Sequence, residues 1–188
     1  AADEFESEME QFIIRTKTTW ADVAGMSHTK DAIQLAYFEA LAKKPPQLEI
    51  SHTGGILLYG PPGTGKTLLA SAAAGSLDST FFNVKASSIL SKWFGESTQK
   101  VSALFQTARK YSPAVIFLDE IDSLAGSRNQ NMFEATRRIL SVLLRRLDGI
   151  DAAMKTITIG ATNRKEDLDS ALLSRFDQTI LFPLPNKE

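Results

Sequence analysis

Gly60-Pro61-Pro62-Gly63-Thr64-Gly65-Lys66-Thr67 is the stretch on which the fold turns. It fits the pattern G-x-x-x-x-G-K-[ST] at every fixed position. Glycines at such spacing allow backbone angles that aim several N–H groups into one concavity, which suits a phosphate. A helix starting there adds the positive end of its dipole. Lys66 then reaches the β- and γ-phosphates of a nucleotide, and Thr67 ligates Mg²⁺. This reading demands a strand before the loop and a helix after it. Residues 55–59 supply a short apolar run, and residues 66–75 are rich in alanine and leucine.

Outward from that loop, apolar runs and amphipathic segments alternate. Strands are predicted over 81–84, 114–118, 156–162 and 178–182, the last closed by Pro183 and Pro185. Val101, Leu104, Phe105 and Ala108 recur at helical spacing, as do Ile139, Leu140, Leu143, Leu144 and Leu147 before Gly149. Upstream, Ser27 or Thr29 is placed to cap a helix through Leu41, which Pro45 and Pro46 must end. Short apolar strands alternating with helices predict a five-stranded parallel sheet covered on both faces.

The run Ala114-Val115-Ile116-Phe117-Leu118-Asp119-Glu120 puts two adjacent carboxylates at the end of an apolar strand. Ligands of open α/β sheets bind at those strand ends. Neighbouring side chains of an extended chain point to opposite sides, so the two can divide the work. Asp119 is assigned to Mg²⁺, and Glu120 to orienting and polarising an attacking water. Asp122 reads as a helix cap or a supporting group.

Composition narrows the alternatives. The 188 residues amount to about one domain at roughly 150 residues each. With 21 basic and 22 acidic residues, the net charge of -1 argues against direct nucleic-acid binding. No cysteine is present, which excludes disulfides, a thiol nucleophile and a thiolate zinc site. His28 and His52 have no paired ligand spacing, and no His-Glu-x-x-His pattern marks a metalloprotease. No apolar run approaches the roughly 18 residues of a membrane span, so membrane association is not encoded in these residues. The expected setting is intracellular, the cytoplasm foremost, with an organelle as the other option. Residues 1–19, acidic at the outset, read as an N-terminal extension or linker, and 20–188 as one nucleotide-binding unit.

Several segments, taken together and in order, resemble the AAA ATPases. They are Trp20-Ala21-Asp22-Val23-Ala24-Gly25-Met26, the glycine-rich loop, Val115 to Asp122, Gly160-Ala161-Thr162-Asn163-Arg164 and Ser174-Arg175-Phe176-Asp177. Ser91-Lys92-Trp93-Phe94-Gly95-Glu96-Ser97 is similar to the meiotic clade of spastin, katanin, fidgetin and Vps4, with Msp1-like proteins close. The resemblance implies the large subdomain of a P-loop ATPase without its helical lid. It implies ATP and Mg²⁺ as ligands, a homo-hexamer when full length, and a polypeptide substrate threaded through the pore. Under it, Asn163 is the polar sensor of the γ-phosphate and attacking water. Asp22, Val23, Ala24 and Gly25 border the adenine, and Pro62, Gly63, Thr64, Gly65, Lys66, Thr67 and Leu68 hold the nucleotide. Arg175 is a finger given to the neighbouring subunit; Leu173 and Ser174 stand where a second arginine is usual. Lys92, Trp93 and Phe94 form the substrate-gripping pore loop, and residues 127–134 lie where a second would fall. Arg137, Arg138, Arg145 and Arg146 read as a solvated or inter-subunit helix face. The alternatives are a nucleotide-gated scaffold with incidental hydrolysis and a clamp-loader-like nucleic-acid remodeller.

Overall fold

The fold is that of a computed structural model, which describes residues 2–23, 25–41, 55–92, 96–124, 130–148, 156–168 and 170–182. In chain order the elements are α1 (Ala2–Glu10), β1 (Ile13–Ile14), α2 (Ser27–Leu41), β2 (Gly55–Tyr59), α3 (Lys66–Ser76), β3 (Thr80–Lys85), α4 (Ala86–Lys92), α5 (Ser97–Lys110), β4 (Ala114–Asp119), α6 (Gln130–Asp148), β5 (Thr156–Thr162), α7 (Ser170–Ser174) and β6 (Phe176–Leu181). Short 3₁₀ turns lie at Trp20–Asp22, Ile121–Leu124 and Lys165–Asp167.

One sheet runs in the order β1-β3-β4-β5-β2-β6. The five expected strands are all there and mutually parallel. The sixth, β1, is an addition: it pairs antiparallel with β3, Ile13 opposite Phe82 and Ile14 opposite Phe81. Two residues have no local pattern to betray a strand, and long-range pairing with β3 creates this one. The last strand begins at Phe176, earlier than the predicted 178, because Phe176 already pairs with Gly55.

Alternation along each strand sends side chains to two cores. Ile56 and Leu58 of β2, Val115 and Phe117 of β4, and Ile159 and Ala161 of β5 pack with Leu69, Ala70, Ala73 and Ala74 of α3. Leu57, Ile116 and Leu118 face the other way, onto Val101, Leu104, Phe105 and Ala108 of α5 and Ile139 and Leu143 of α6. Both faces are thus covered, as continuous apolar strands require. No described helix is long and apolar enough to cross a membrane.

Residues 2–19 make contacts with the rest of the chain along their length. Met9 is fully buried in the core beside α5. Lys100 donates to Glu8 at 3.0 Å, Lys110 pairs with Glu6, and the Tyr111 hydroxyl donates to Glu10 at 2.8 Å. Further along, Thr16 and Ser71 share a hydroxyl–hydroxyl hydrogen bond of 2.7 Å, and the Trp20 N–H donates to Ser76 Oγ at 2.8 Å. This strap crosses α3 at Gly75, where a Cβ would stand 1.9 Å from the Thr18 carbonyl oxygen. Only glycine permits so close a crossing.

Candidate functional site

The sheet order explains how distant sequence segments meet. β4, β5 and β2 are neighbours, and being parallel they all end at the same edge. The glycine-rich loop follows β2, Asp119 ends β4 with Glu120 next, and Asn163 follows β5. A cleft of about 220 Å³ opens there, lined by Pro62, Gly63, Thr64, Gly65, Lys66, Thr67, Asp119, Glu120 and Asn163. Among the described residues, a larger hollow of about 560 Å³ beside Ile14 and Arg15 gathers no comparable set of glycines, lysine and paired carboxylates.

The loop takes the conformation its glycines allow. Gly63 and Gly65 have φ of 75° and 95°, and a Cβ on either would meet no atom within 4 Å. Open space over a concave backbone is what an incoming phosphate needs. Leu69 N–H donates to Gly65 O at 3.0 Å, so α3 starts directly at the loop. Lys66 is only 8% exposed. Its ammonium donates to Gly60 O at 3.0 Å, Pro61 O at 2.8 Å and Thr64 Oγ1 at 3.3 Å. The cation is therefore folded back on the loop's own acceptors. Burial pulls its pKa below the usual lysine range, against the pull of Asp119. Thr67 and Leu68 are exposed on the first turn of α3.

Asp119 and Glu120 sit in different surroundings. Burial raises the Asp119 carboxyl above the ordinary aspartate range; the Glu120 N–H, donating at 2.9 Å, Lys85 and Lys66 work against that, and the Glu120 charge adds to it. A carboxylate partly withdrawn from water beside an open cleft fits a divalent cation. Among the described residues no group of three or more His, Cys, Asp and Glu surrounds a metal position. Mg²⁺ commonly takes one or two protein oxygens and completes its shell with water and substrate phosphates, so Thr67 and Asp119 suffice on the protein side. Glu120 sits at φ 53°, a left-handed conformation rare for a side chain of this size. Its Oε2 accepts a hydrogen bond from Ser87 Oγ at 3.2 Å. Ser87 was not singled out from the sequence. The available signal is its place just past β3, the strand beside β4.

Asp122 is no helix cap. It lies in the 3₁₀ turn after Glu120 and accepts from the Thr162 hydroxyl at 2.8 Å. That supporting contact leads to Asn163, which is exposed on the cleft wall.

Other expected site residues lie apart. Asp22, Val23 and Gly25 do not line the cleft. Val23 is buried in the core shared with α3, and the Asp22 carboxylate accepts from the Thr19 N–H at 2.8 Å. Lys30 fixes this segment by donating to Trp20 O and Val23 O at 3.1 and 2.7 Å. Arg175 is also outside the cleft, its guanidinium donating to Ser174 Oγ at 3.0 Å. Ala24, Trp93, Phe94 and residues 127–129 lie outside the described residues, while 130–134 open α6; of the pore-loop trio only the Lys92 backbone, at the end of α4, is described.

Known proteins agree with this arrangement. The family model "ATPase family associated with various cellular activities (AAA)" matches residues 56–184. The chain is 46% identical over 183 residues to the Arabidopsis thaliana protein SUPPRESSOR OF K(+) TRANSPORT GROWTH DEFECT 1, covering 92% of this chain and 41% of that protein. Against human vacuolar protein sorting-associated protein 4A it is 46% identical over 176 residues, covering 89% and 39%. The crystal structure of the FIGL-1 AAA domain in complex with ADP superposes with a TM-score of 0.79 at 38% identity, over 98% of this chain and 62% of that one. The chain spans about two fifths of the length of these curated relatives. With the loop, the paired carboxylates and the asparagine gathered at one sheet edge, and with a family match over most of its length, the chain belongs to the AAA family of ATPases.

Proposed function

We propose that this chain binds ATP with Mg²⁺ and hydrolyses it, and that hydrolysis drives remodelling of protein substrates by a hexamer that threads polypeptide through its pore. One observation carries the hydrolytic part: a single cleft holds the phosphate loop, both carboxylates and Asn163. A scaffold that only binds nucleotide has no use for Glu120 beside the phosphates.

In this reading the loop N–H groups and Lys66 bind the phosphates. Thr67 and Asp119 hold Mg²⁺, which when bound supplies charge neutralisation across the phosphate oxygens. Glu120 accepts the proton of the attacking water, and Asn163, able to donate and accept, orients that water. Arg175, lying outside its own subunit's cleft, is assigned to the cleft of a neighbour. A guanidinium there stays charged and forks toward phosphate oxygens. The remodelling part is supported by likeness to fidgetin-like and katanin proteins, one of whose structures concerns katanin self-assembly.

The test is steady-state ATP hydrolysis against protein concentration, on the full-length protein. Turnover per subunit should climb with concentration, since a finger acting in trans is worth about 10³-fold or more. A flat rate per subunit would remove Arg175 and the hexamer from the mechanism. Glu120→Gln should retain ATP binding and lose turnover; unchanged turnover would end the hydrolytic reading.

A further inference from the structure

The end of β5 is a junction between all three parts of the cleft. Thr162 is 1% exposed. Its carbonyl accepts from the Gly60 N–H at 3.2 Å, at the start of the phosphate loop. Its hydroxyl donates to Asp122 Oδ1 at 2.8 Å, in the turn that follows Glu120. The same oxygen accepts from the Arg164 N–H at 3.0 Å. Asn163 is thus pinned on both sides by one residue. One step on, the Lys165 ammonium lies 4.4 Å from the centre of the Tyr59 ring, on the strand that feeds the loop.

The polarity of this chain of hydrogen bonds is fixed by Asp122. A carboxylate only accepts, so the threonine proton must point at it, which leaves a lone pair of the hydroxyl for the Arg164 N–H. Successive bonds of this kind polarise and stiffen one another. The 3₁₀ turn passes the constraint back, because the Ser123 N–H donates to Glu120 O at 2.9 Å. A shift of Asp122 therefore shifts Glu120 and Asn163 together.

We propose that Thr162 and Asp122 are positioning residues for hydrolysis, holding Asn163 in register with Glu120 and the phosphate loop. The inference rests on the hydrolytic reading above. It is tested on the full-length protein with Thr162→Val, Thr162→Ser and Asp122→Ala, each alone and in an Asn163→Ala background, after melting curves establish folding. In the unaltered background, Thr162→Val and Asp122→Ala should lower kcat roughly tenfold to a hundredfold, the scale of a small misplacement. The Kd for ATP should stay within about twofold, since the loss falls on the transition state. Thr162→Ser, which keeps both bonds, should restore most of kcat. With Asn163 already removed, Thr162→Val should cost clearly less than in the unaltered background, the remainder passing through Glu120. An equal loss in both backgrounds would make Thr162 merely structural and overturn the inference, as would an undiminished kcat. Should Thr162→Val fail to fold, half-buried Asp122 carries the same comparison. Full turnover by Asn163→Ala alone would instead overturn the sensor reading, and this inference with it.

Discussion

Glu120 offers a perturbation whose sign is unusual: glycine in its place should give a more stable protein than alanine does. Its φ of 53° places an L side chain in the left-handed region, at a cost of about 1–2 kcal/mol. Glycine escapes that cost but gives the unfolded chain more freedom, which takes back about 0.4–1 kcal/mol. Glu120→Gly should therefore exceed Glu120→Ala by about 0.5–1 kcal/mol. Both variants lose the Ser87 hydrogen bond, so that contact cancels from the comparison. For a chain of this length the difference corresponds to roughly 1–4 °C in the melting midpoint. Chemical denaturation of the nucleotide-free protein, with matched slopes for the two variants, measures it directly. Both variants should be inactive in ATP hydrolysis, so the stability difference appears between two proteins with equal, negligible turnover. If Glu120→Gly proves no more stable than Glu120→Ala, the residue is not held in the left-handed region and the reasoning fails.

Three further outcomes are expected. Lys66→Ala should weaken ATP binding at least tenfold, the scale of a lost charge-assisted contact, as read by fluorescent-nucleotide titration; unchanged affinity would place the phosphates elsewhere. Ser87→Ala frees the Glu120 carboxylate and should change kcat several-fold while leaving ATP affinity nearly unaltered, a split that kinetics and equilibrium binding separate. The contact of α1 with α5 should loosen on the alkaline side. Lys110 is raised by its bond to Glu6, and stability so gained is lost as pH climbs through that raised value; Tyr111 is raised by donating to Glu10, and ionising it removes the donor. Limited proteolysis near α1 should therefore accelerate above about pH 10, and an even rate across that range would contradict the contact.

What could be read from the sequence was whatever declares itself locally. The phosphate loop needs glycine at fixed spacing, and the strand ending in Asp119 and Glu120 carries its apolar run and its carboxylates together. Both appear where the pattern placed them, and Asn163 joins them because β5 lies between β2 and β4. Contacts that depend on distant partners were hidden. An acidic stretch such as Glu6, Glu8 and Glu10 looks like a frayed end until Lys100, Lys110 and Tyr111 arrive from roughly a hundred residues away. Likewise Ile13 and Ile14 become a strand only against Phe81 and Phe82. Ser87 and Thr162 are ordinary hydroxyl residues until strand order sets them beside Glu120 and Asp122.

The N-terminal strap also makes the chain a graded tether. Tension applied at Ala2 would first meet the Glu6–Lys110 pair, whose lysine is well exposed and which water readily replaces. Next comes Met9, which must leave a dry core, then the pairing of Ile13 and Ile14 with β3, and then the crossing under Thr18, where backbone lies directly on the backbone of α3. A pull of modest size is thus absorbed by unzipping α1, before β1 passes any load to β3 and the rest of the sheet. Under tension, then, α1 is the part that yields first, ahead of β1 and the sheet it joins.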